Sequence, residues 1–227
     1  MAATRRPGLQ SRWDHVFGSL ESIIPIYETG SSRIALFSDS AMRERAVTFA
    51  VRGPDLVLDL GSGPGTMARV VSAAGGTPVL VDASRRMLRA AGSMMAVQAV
   101  FEALPFRDGA FASGVAGFSL RDARDLLTAV VEVRRVTADG GRFALCDLGK
   151  SDSFVQAVLL GAYIRVVAPF IGAATGGRLG FRFGSLFDTY ALTLKNGALR
   201  ALLGRHFSSV EMSSRFLGGS IVVLCTA

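Results

Sequence analysis

The chain is poor in the residues that bind metals or build disulfide frameworks. It has only two cysteines and two histidines among 227 residues. Cys146 and Cys225 are too few and too far apart in sequence for a disulfide framework or a zinc cluster, and both fall in apolar runs, so we interpret them as buried thiols. His15 and His206 lie in no recognisable motif, and we interpret them as structural or surface residues. No metal site is expected.

Clusters of one kind of charge are also missing. The net charge is +7 and the basic residues are nearly all arginine, but they are scattered along the chain. No basic run is interleaved with aromatic residues, so nucleic-acid binding is not expected. The basic start, Met1–Arg12, is not followed by an apolar core, which argues against a signal peptide and favours a cytoplasmic protein. The length predicts one domain.

One long apolar run does occur, at residues 153–175 (SFVQAVLLGAYIRVVAPFIGAAT). Its length is close to that of a transmembrane helix. Arg165 near its centre and Pro169 disfavour a membrane span, because a charge there is costly and proline bends or ends a helix. Two interpretations stay open: a core helix, or an apolar lid over a greasy substrate that touches the bilayer. The glycine-dense residues 172–184 predict a flexible connection.

A glycine-rich turn lies at the centre of the chain, in VLDLGSGPGT (residues 57–66). The apolar residues before it predict a short strand buried on both faces of a parallel sheet, and residues 67–74 predict a helix. The glycines occupy alternate positions: Gly61, Gly63 and Gly65. Because they lack side chains, we expect the backbone amides of the turn to approach a polar ligand group closely. A turn that is glycine-rich only to bend sharply is the structural alternative.

The spacing of this turn argues against a dinucleotide site. The dinucleotide pattern G-x-G-x-x-G/A fails at Thr66. Alternate glycines after an acidic residue, Asp59, look instead like the S-adenosylmethionine site of class I methyltransferases. Asp82 ends the second predicted strand, about 20 residues further on, where an acidic side chain accepts hydrogen bonds from ribose hydroxyls. A helix-start role beside Ser84 is the alternative for Asp82. The pair predicts an adenosine ligand.

Strands and helices alternate after residue 53, which predicts a parallel sheet with helices on both faces. The fold class is α/β: a Rossmann-like, doubly wound, mostly parallel seven-stranded sheet with N-terminal helices and an inserted apolar helical lid. The predicted later strands are 78–81, 97–101, 114–118, 142–146, 208–212 and 221–224, the last two forming an antiparallel edge. The predicted helices include 41–51, 123–136 with Asp122 as its cap, and 187–203.

We expect a single domain with five parts. They are a mobile tail (1–12), N-terminal helices (13–52), a cofactor-binding core (53–150), an apolar lid (151–186) and a C-terminal helix with strands (187–227). The N-terminal helices precede the first strand, so we expect them over the carboxyl ends of the strands, where α/β proteins bind ligands.

Five segments occur in an order and spacing that identify a family: VLDLGSGPGT, VDASRRMLRAA, EALPFRDGAF, GFSLRD and VRRVTADGGRFALCDLGK. Together they resemble the UbiE-type C-methyltransferases of ubiquinone and menaquinone biosynthesis. HVFGSLESIIPIYE and SFVQAVLLGAYIRVVAPFIG also look like that family, so the resemblance extends from about His15 to Thr226. GFSLRD and the long apolar segment are the parts that indicate quinone methylation.

The resemblance implies S-adenosylmethionine as methyl donor and a prenylated quinol as acceptor. The residues it implies for the donor site are Asp59, Gly61, Gly63, Gly65, Thr66, Asp82, Ala83, Phe101, Glu102 and Gly117. The glycines would face the methionine end, Asp82 the ribose, and Phe101 with Glu102 the adenine. Arg121 matches the arginine of the family's F-G-L/I-R-N signature and is the expected catalytic residue. It would stabilise a phenolate or orient a water, since arginine itself is a poor base; pairing with Asp122 or Asp125 is the alternative.

Three positions depart from the family pattern. Val100 stands where an acidic or amide residue is usual, Ala112 replaces an aspartate, and Asp122 replaces an asparagine. These departures keep two other functions open: O- or N-methylation of another apolar small molecule, and non-catalytic binding of an adenosine ligand. Contact with the inner face of a membrane and formation of a homodimer also stay open.

Overall fold

The computed structural model describes residues 13–35 and 38–227, so the predicted mobile tail lies outside the described residues. Seven strands form one sheet. They are β1 (Leu56–Leu60), β2 (Thr77–Asp82), β3 (Ala96–Gln98), β4 (Phe111–Gly117), β5 (Thr137–Leu148), β6 (Ser209–Arg215) and β7 (Ser220–Thr226). Their order is β3-β2-β1-β4-β5-β7-β6. The first five strands are parallel, and β7 runs antiparallel to both β5 and β6. The predicted fold class is confirmed.

Helices surround this sheet. They are α1 (Trp13–Ser22), α2 (Tyr27–Ile34), α3 (Asp39–Ala50), α4 (Thr66–Ala73), α5 (Arg85–Ala90), α6 (Leu126–Val136), α7 (Phe154–Ala162), α8 (Ala168–Gly176), α9 (Ser185–Leu192) and α10 (Asn196–Leu203). Helices α6 and α10 pack on one face of the sheet, and α3 and α4 on the other. Cys146 and Cys225 are buried free thiols, as predicted, and burial raises the pKa of each to about 12.

The winding of the chain reverses between β1 and β4. These strands are neighbours, but the chain moves outward through β2 and β3 on one side and through β5 on the other. In such sheets the ligand crevice opens at the carboxyl ends of the strands beside this reversal. The turn after β1 and the turn after β4 therefore meet at the candidate site.

Several predicted boundaries differ from the structure. Strand β3 ends at Gln98, before the predicted residue 101. Asp122 is not the cap of α6: it ends a 3₁₀ turn, Leu120–Asp122, and the Oδ1 of Asp125 accepts hydrogen bonds from the first amides of α6. Asp122 and Asp125 both precede the apolar residues of α6. Asp122 belongs to the 3₁₀ turn, so Asp125 is the residue directly before the helix and caps it. The helix predicted at 187–203 is two helices, α9 and α10.

The N-terminal helices do not all lie over the crevice. Residues of α1 and α2 border the candidate site, whereas α3 lies on the face of the sheet. Met42, Ala46, Val47 and Ala50 share one side of α3 and are buried against β4, β5 and α4. This spacing is that of an amphipathic helix, and its apolar side needs a sheet to cover it.

The apolar segment is helical almost throughout. Helix α7 continues through a π-helical turn, Tyr163–Val167, into α8, with Pro169 in the first turn of α8, where its missing N–H is tolerated. The stretch Phe154–Leu192 is long and apolar enough to cross a membrane by length and composition, and 22% of its most apolar window is buried, which is less than expected for a core helix. The chain reverses after α8 at Gly177, which has a positive φ.

The glycines of this segment serve close packing. A Cβ on Gly180 would lie 1.8 Å from the carbonyl oxygen of Gly172, so only glycine fits where α8 meets the 3₁₀ helix Gly177–Gly184. Residues 172–184 are thus helical and closely packed in the structure, and their predicted flexibility stays a prediction. Glycine density marked a tight helix contact, which composition alone does not distinguish from a linker.

Candidate active site

Two adjoining pockets lie at the carboxyl end of the sheet. The first, which we call the glycine pocket, contains about 700 Å³ of empty space. Six residues expected at the donor site line it: Gly61, Gly63, Asp82, Ala83, Phe101 and Glu102. The structure thus brings together residues from the ends of β1 and β2 and from the segment after β3.

The glycine turn has a steric and a conformational requirement. Gly61 and Gly63 both have positive φ, which favours glycine. A Cβ on Gly61 would also lie 2.4 Å from the Cβ of Ser119. The amides of Gly61 and Ser62 donate to the carbonyl oxygen of Val81, at 2.7 and 3.1 Å. These amides have partners within the protein, so the glycines here give the turn its shape rather than leaving free amides for a ligand.

Asp82 holds the turn and also faces the pocket. Its Oδ2 accepts a hydrogen bond from the Gly63 amide and its Oδ1 accepts one from the Ser84 amide, each at 2.8 Å. Burial raises the pKa of Asp82, and these two hydrogen bonds oppose that rise. A carboxylate accepts more than one hydrogen bond per oxygen, so the helix-start role and a ribose contact are compatible.

Four other expected residues lie outside the walls of this pocket: Asp59, Gly65, Thr66 and Gly117. Asp59 is fully buried behind the turn, and no described group forms a hydrogen bond of normal geometry with its carboxylate. Burial raises its pKa to about 7, although Arg43 and the nearby Ala68 amide oppose this. The hydroxyl of Thr66 donates to Glu28 of α2 at 2.7 Å.

The glycine pocket is acidic. Its charged side chains are Glu21, Asp82, Glu102 and Asp122, and no lysine or arginine is among the described residues that line it. Glu21, on α1, accepts a hydrogen bond from the Ser84 hydroxyl and so ties the N-terminal helix to the cofactor-binding core. No local motif surrounds Glu21, so its place in the pocket was not predictable from the sequence.

The second pocket, which we call the arginine pocket, contains about 990 Å³ of empty space. It shares Leu20, Tyr27 and Phe118 with the glycine pocket, so the two adjoin. Its walls are mostly apolar and come from α1, α2, the apolar segment and the β6–β7 turn. Two buried arginines, Arg43 and Arg121, are its cationic groups.

Arg121 is held by two carboxylates. Its side chain is 6% exposed; Nη1 donates to Asp147, and Nε lies 3.7 Å from Oδ1 of Asp122. Burial lowers the pKa of Arg121, but Asp122 and Asp147 raise it more, so the net shift is upward and the guanidinium stays charged. The expected pairing with Asp122 is present, whereas Asp147 was missed because it lies 26 residues away.

Arg43 was also missed. It extends from α3 to the end of β4, where its Nη1 would be 2.5 Å from a Cβ on Gly117. Its guanidinium carbon lies 4.9 Å from the ring centroid of Phe118, and its ion pair is a distant one, 4.0 Å from Asp39. Because Gly117 has no side chain, the guanidinium of Arg43 fits against it. Gly117 therefore packs against Arg43 and does not line the glycine pocket.

Tyr27 lies where the pockets meet and lines both. Burial raises the pKa of its hydroxyl, while Arg121 and Arg43 lower it. His15 is 71% exposed, and neither histidine lines either pocket as described. Within residues 13–35 and 38–227, no three His, Cys, Asp or Glu side chains are placed to hold a metal ion.

Comparisons with known proteins identify the family of this chain. A family model described as a methyltransferase domain matches residues 58–145. A demethylmenaquinone methyltransferase of Thermus thermophilus is 30% identical over 169 residues, which cover 70% of this chain and 77% of that protein. The chain belongs to the UbiE-type methyltransferase family. It is an S-adenosylmethionine-dependent methyltransferase.

Two further comparisons describe the range of similarity of this methyltransferase. A demethylmenaquinone methyltransferase of Mycobacterium marinum is 31% identical over 152 residues, covering 65% of each chain. A solved methyltransferase structure from Thermotoga maritima, titled a possible histamine N-methyltransferase, has a TM-score of 0.66 at 16% identity, covering 93% of this chain and 98% of that one. The structural likeness shows the fold.

The glycine pocket fits the methyl donor of this enzyme class. S-adenosylmethionine carries a sulfonium cation and an ammonium group against one carboxylate, and the pocket presents four carboxylates. Opposite charges nearby favour binding of a cation in a partly buried site. When bound, the sulfonium supplies an electrophilic methyl group.

Proposed function

We propose that this methyltransferase adds a methyl group to a ring carbon of a prenylated quinol of the demethylmenaquinol or ubiquinol-precursor type. The observation that supports this best is the arginine pocket, where two buried guanidiniums lie in apolar walls next to the acidic glycine pocket. The apolar walls suit a prenyl chain and a fused ring, and the cations suit a ring oxygen that gains negative charge. The names of the relatives support the same substrate class.

The chain supplies positioning and charge for this reaction. A ring carbon becomes nucleophilic when the neighbouring hydroxyl loses its proton, and Arg121 and Arg43 stabilise the resulting oxyanion. The adjoining pockets hold the two substrates in one geometry, which provides much of the acceleration. On the donor side we assign the ribose to Asp82, the adenine to Phe101 and Glu102, and the methionine end to the glycine turn.

Methyl transfer to a reduced and to an oxidised acceptor tests this function. The purified protein is incubated with S-adenosylmethionine and a short-chain demethylmenaquinone, chemically reduced in one sample and oxidised in the other. We expect methylation of the quinol alone, because the quinone has no hydroxyl to ionise. Fragmentation of the product should place the new methyl on a ring carbon. A methyl ether would support O-methylation of an apolar acceptor instead, and no product from any quinol would contradict the proposal.

We also propose that the protein is cytoplasmic and that α7 and α8 rest on the inner, anionic surface of a membrane. Large apolar side chains are exposed along this segment: Phe154, Val155, Val158, Leu159, Val166, Val167, Phe170 and Phe181. The exposed charges beside them are arginines, at 165, 178 and 182, and residues 154–187 contain no acidic residue. An apolar face with basic neighbours complements anionic lipid headgroups.

Vesicle flotation tests this surface. Binding to phosphatidylglycerol vesicles should exceed binding to phosphatidylcholine vesicles, and replacing Phe154, Leu159 and Phe170 by serine should release the protein. Leu160 is left intact because it lines the arginine pocket. Val131→Ser, an exposed apolar residue on α6, is the control. Unchanged flotation of the triple variant, or loss of a dimer instead of lipid binding, would contradict membrane docking and leave the face as a subunit contact.

A further inference from the structure

Asp122 has a carboxylate oxygen that nothing in the described structure satisfies. Its Oδ1 is buried and receives no hydrogen bond from the described residues; the nearest cation, Arg121 Nε, is 3.7 Å away, beyond hydrogen-bond distance. Buried polar atoms are nearly always paired, so an unpaired one needs an explanation. Asp122 lines the glycine pocket together with Tyr27 and Phe118, which also line the arginine pocket.

The other carboxylates of the glycine pocket accept hydrogen bonds. Asp82 accepts hydrogen bonds from the Gly63 and Ser84 amides. Glu102 accepts one from the Asp125 amide, at 3.0 Å, and Glu21 accepts one from Ser84. With no histidine in either pocket as described, Asp122 is the carboxylate left available for proton transfer.

We propose that Asp122 is the general base that removes the hydroxyl proton of the acceptor, an inference that rests on the proposed quinol methylation. The Asp122 carboxylate takes the proton of the hydroxyl beside the reacting carbon, leaving a phenolate. That carbon then forms its bond to the methyl group while the methyl–sulfur bond breaks and its electron pair stays on sulfur. The ring carbon next loses its hydrogen as a proton to solvent, which restores the aromatic ring, and the ring oxygen recovers its proton from Asp122.

The electrostatic surroundings suit this role. Burial raises the pKa of Asp122 to about 6; Arg121 opposes the rise, and Asp147 and Asp82 add to it. Tyr27, Glu21 and Glu102 face the same pocket. A base with a pKa near the working pH is both ionised and strong enough to accept a proton. The UbiE-type pattern has asparagine at this position, so the base is a property of this chain rather than of the pattern.

Asp122→Asn tests the proposal, because it keeps the shape and removes the base. Single-turnover rates of quinol methylation are measured from pH 5 to 10, so that product release does not mask the chemical step. In the wild type the rate should rise to a plateau above about pH 6. In the variant it should fall by roughly 10²- to 10⁴-fold at neutral pH and then climb with pH, because the hydroxyl must ionise unaided.

Two readouts separate a lost base from a lost fold. Asp122→Asn should still bind S-adenosylmethionine in calorimetry, with a modestly lower affinity because one of the four carboxylates of the glycine pocket is lost. The infrared band of a carboxylic acid that titrates near pH 6 should disappear. Asp139→Asn, which removes an exposed charge elsewhere, should behave as wild type. Equal rates and pH profiles for wild type and Asp122→Asn would overturn the base and leave the quinol function intact. A wild type that methylates no quinol would overturn both.

Discussion

The two pockets are built from opposite charges. The described walls of the glycine pocket carry carboxylates without lysine or arginine. Those of the arginine pocket, as far as the structure describes them, carry two guanidiniums and one carboxylate, Asp39. One suits a sulfonium donor and the other suits an acceptor that becomes an anion. The two pockets meet at Tyr27 and Phe118. The charges of the glycine pocket therefore favour an electrophile and those of the adjoining arginine pocket favour a nucleophile. On the proposed function, the two pockets separate the donor and the acceptor by charge as well as by shape.

Removing Arg121 should have the largest effect on this arrangement. Arg121→Met leaves Asp147 and Asp122 buried without their cation, which we expect to lower the free energy of unfolding by about 3–5 kcal/mol. Methyl transfer should fall with it, while donor affinity per folded molecule should change little. Denaturant unfolding and calorimetry measure these quantities. The double variant Arg121→Met with Asp147→Asn should recover part of the stability without activity. Near-native turnover of Arg121→Met would exclude Arg121 from catalysis.

Gly61→Ala should change the shape of the glycine pocket and leave the arginine pocket unchanged. The added methyl would lie 2.4 Å from the Cβ of Ser119, at a residue that also has positive φ. We expect S-adenosylmethionine affinity to drop by roughly 100-fold, about 2.7 kcal/mol, as measured by calorimetry. Gly53→Ala is the matched control, since a Cβ there meets nothing within 4 Å. Equal donor affinity in both variants would mean that the close contact with Ser119 is not needed.

Replacing Asp59 should have a smaller effect on the free energy of unfolding, and this effect should depend on pH. Its pKa in the folded protein, about 7, is above its value in an unfolded chain, so the folded state holds the proton more tightly. Its contribution to stability is therefore full below about pH 4 and is lost as the pH rises towards 7. Asp59→Asn should remove this loss of stability. The slope of the free energy of unfolding against pH should then differ between wild type and variant by on the order of 1 kcal/mol per pH unit. Denaturant unfolding from pH 4 to 8 measures it, with the exposed Asp55→Asn as control. Parallel curves would contradict the burial effect.

Gly117→Ala should give the smallest effect and confine it to the arginine pocket. The new Cβ would lie 2.5 Å from Nη1 of Arg43, and the flexible end of that side chain can shift. We expect a roughly threefold to tenfold rise in KM for the quinol with unchanged donor affinity. In an Arg43→Met background the same substitution should add nothing further. A change in donor affinity instead would indicate that Gly117 belongs to the donor site, as the sequence suggested.

The sequence predicted what depends on local pattern. The strand β1, the glycine turn and Asp82 at the end of β2 all lie where the spacing placed them, because each is defined by residues a few positions apart.

Contacts between distant segments were not predictable in this way. Arg43 reaches Gly117 across 74 residues. Tyr27, on α2, lines the same pocket as Arg121 and interacts with it electrostatically. The predicted cap of α6, Asp122, was wrong for a similar reason. The 3₁₀ turn that precedes α6 determines which aspartate caps the helix, and the apolar pattern does not reveal that turn.

The walls of the arginine pocket come from segments as far apart as Leu20 and Ser220. Closing such a large loop of chain is entropically unfavourable until the contacts at both ends have formed. Apart from residues of α1 and Tyr27 of α2, the walls of the glycine pocket come from residues 61–122. During refolding from denaturant we therefore expect donor binding to return before acceptor binding. The capacity to methylate should be the last property that the refolding chain regains.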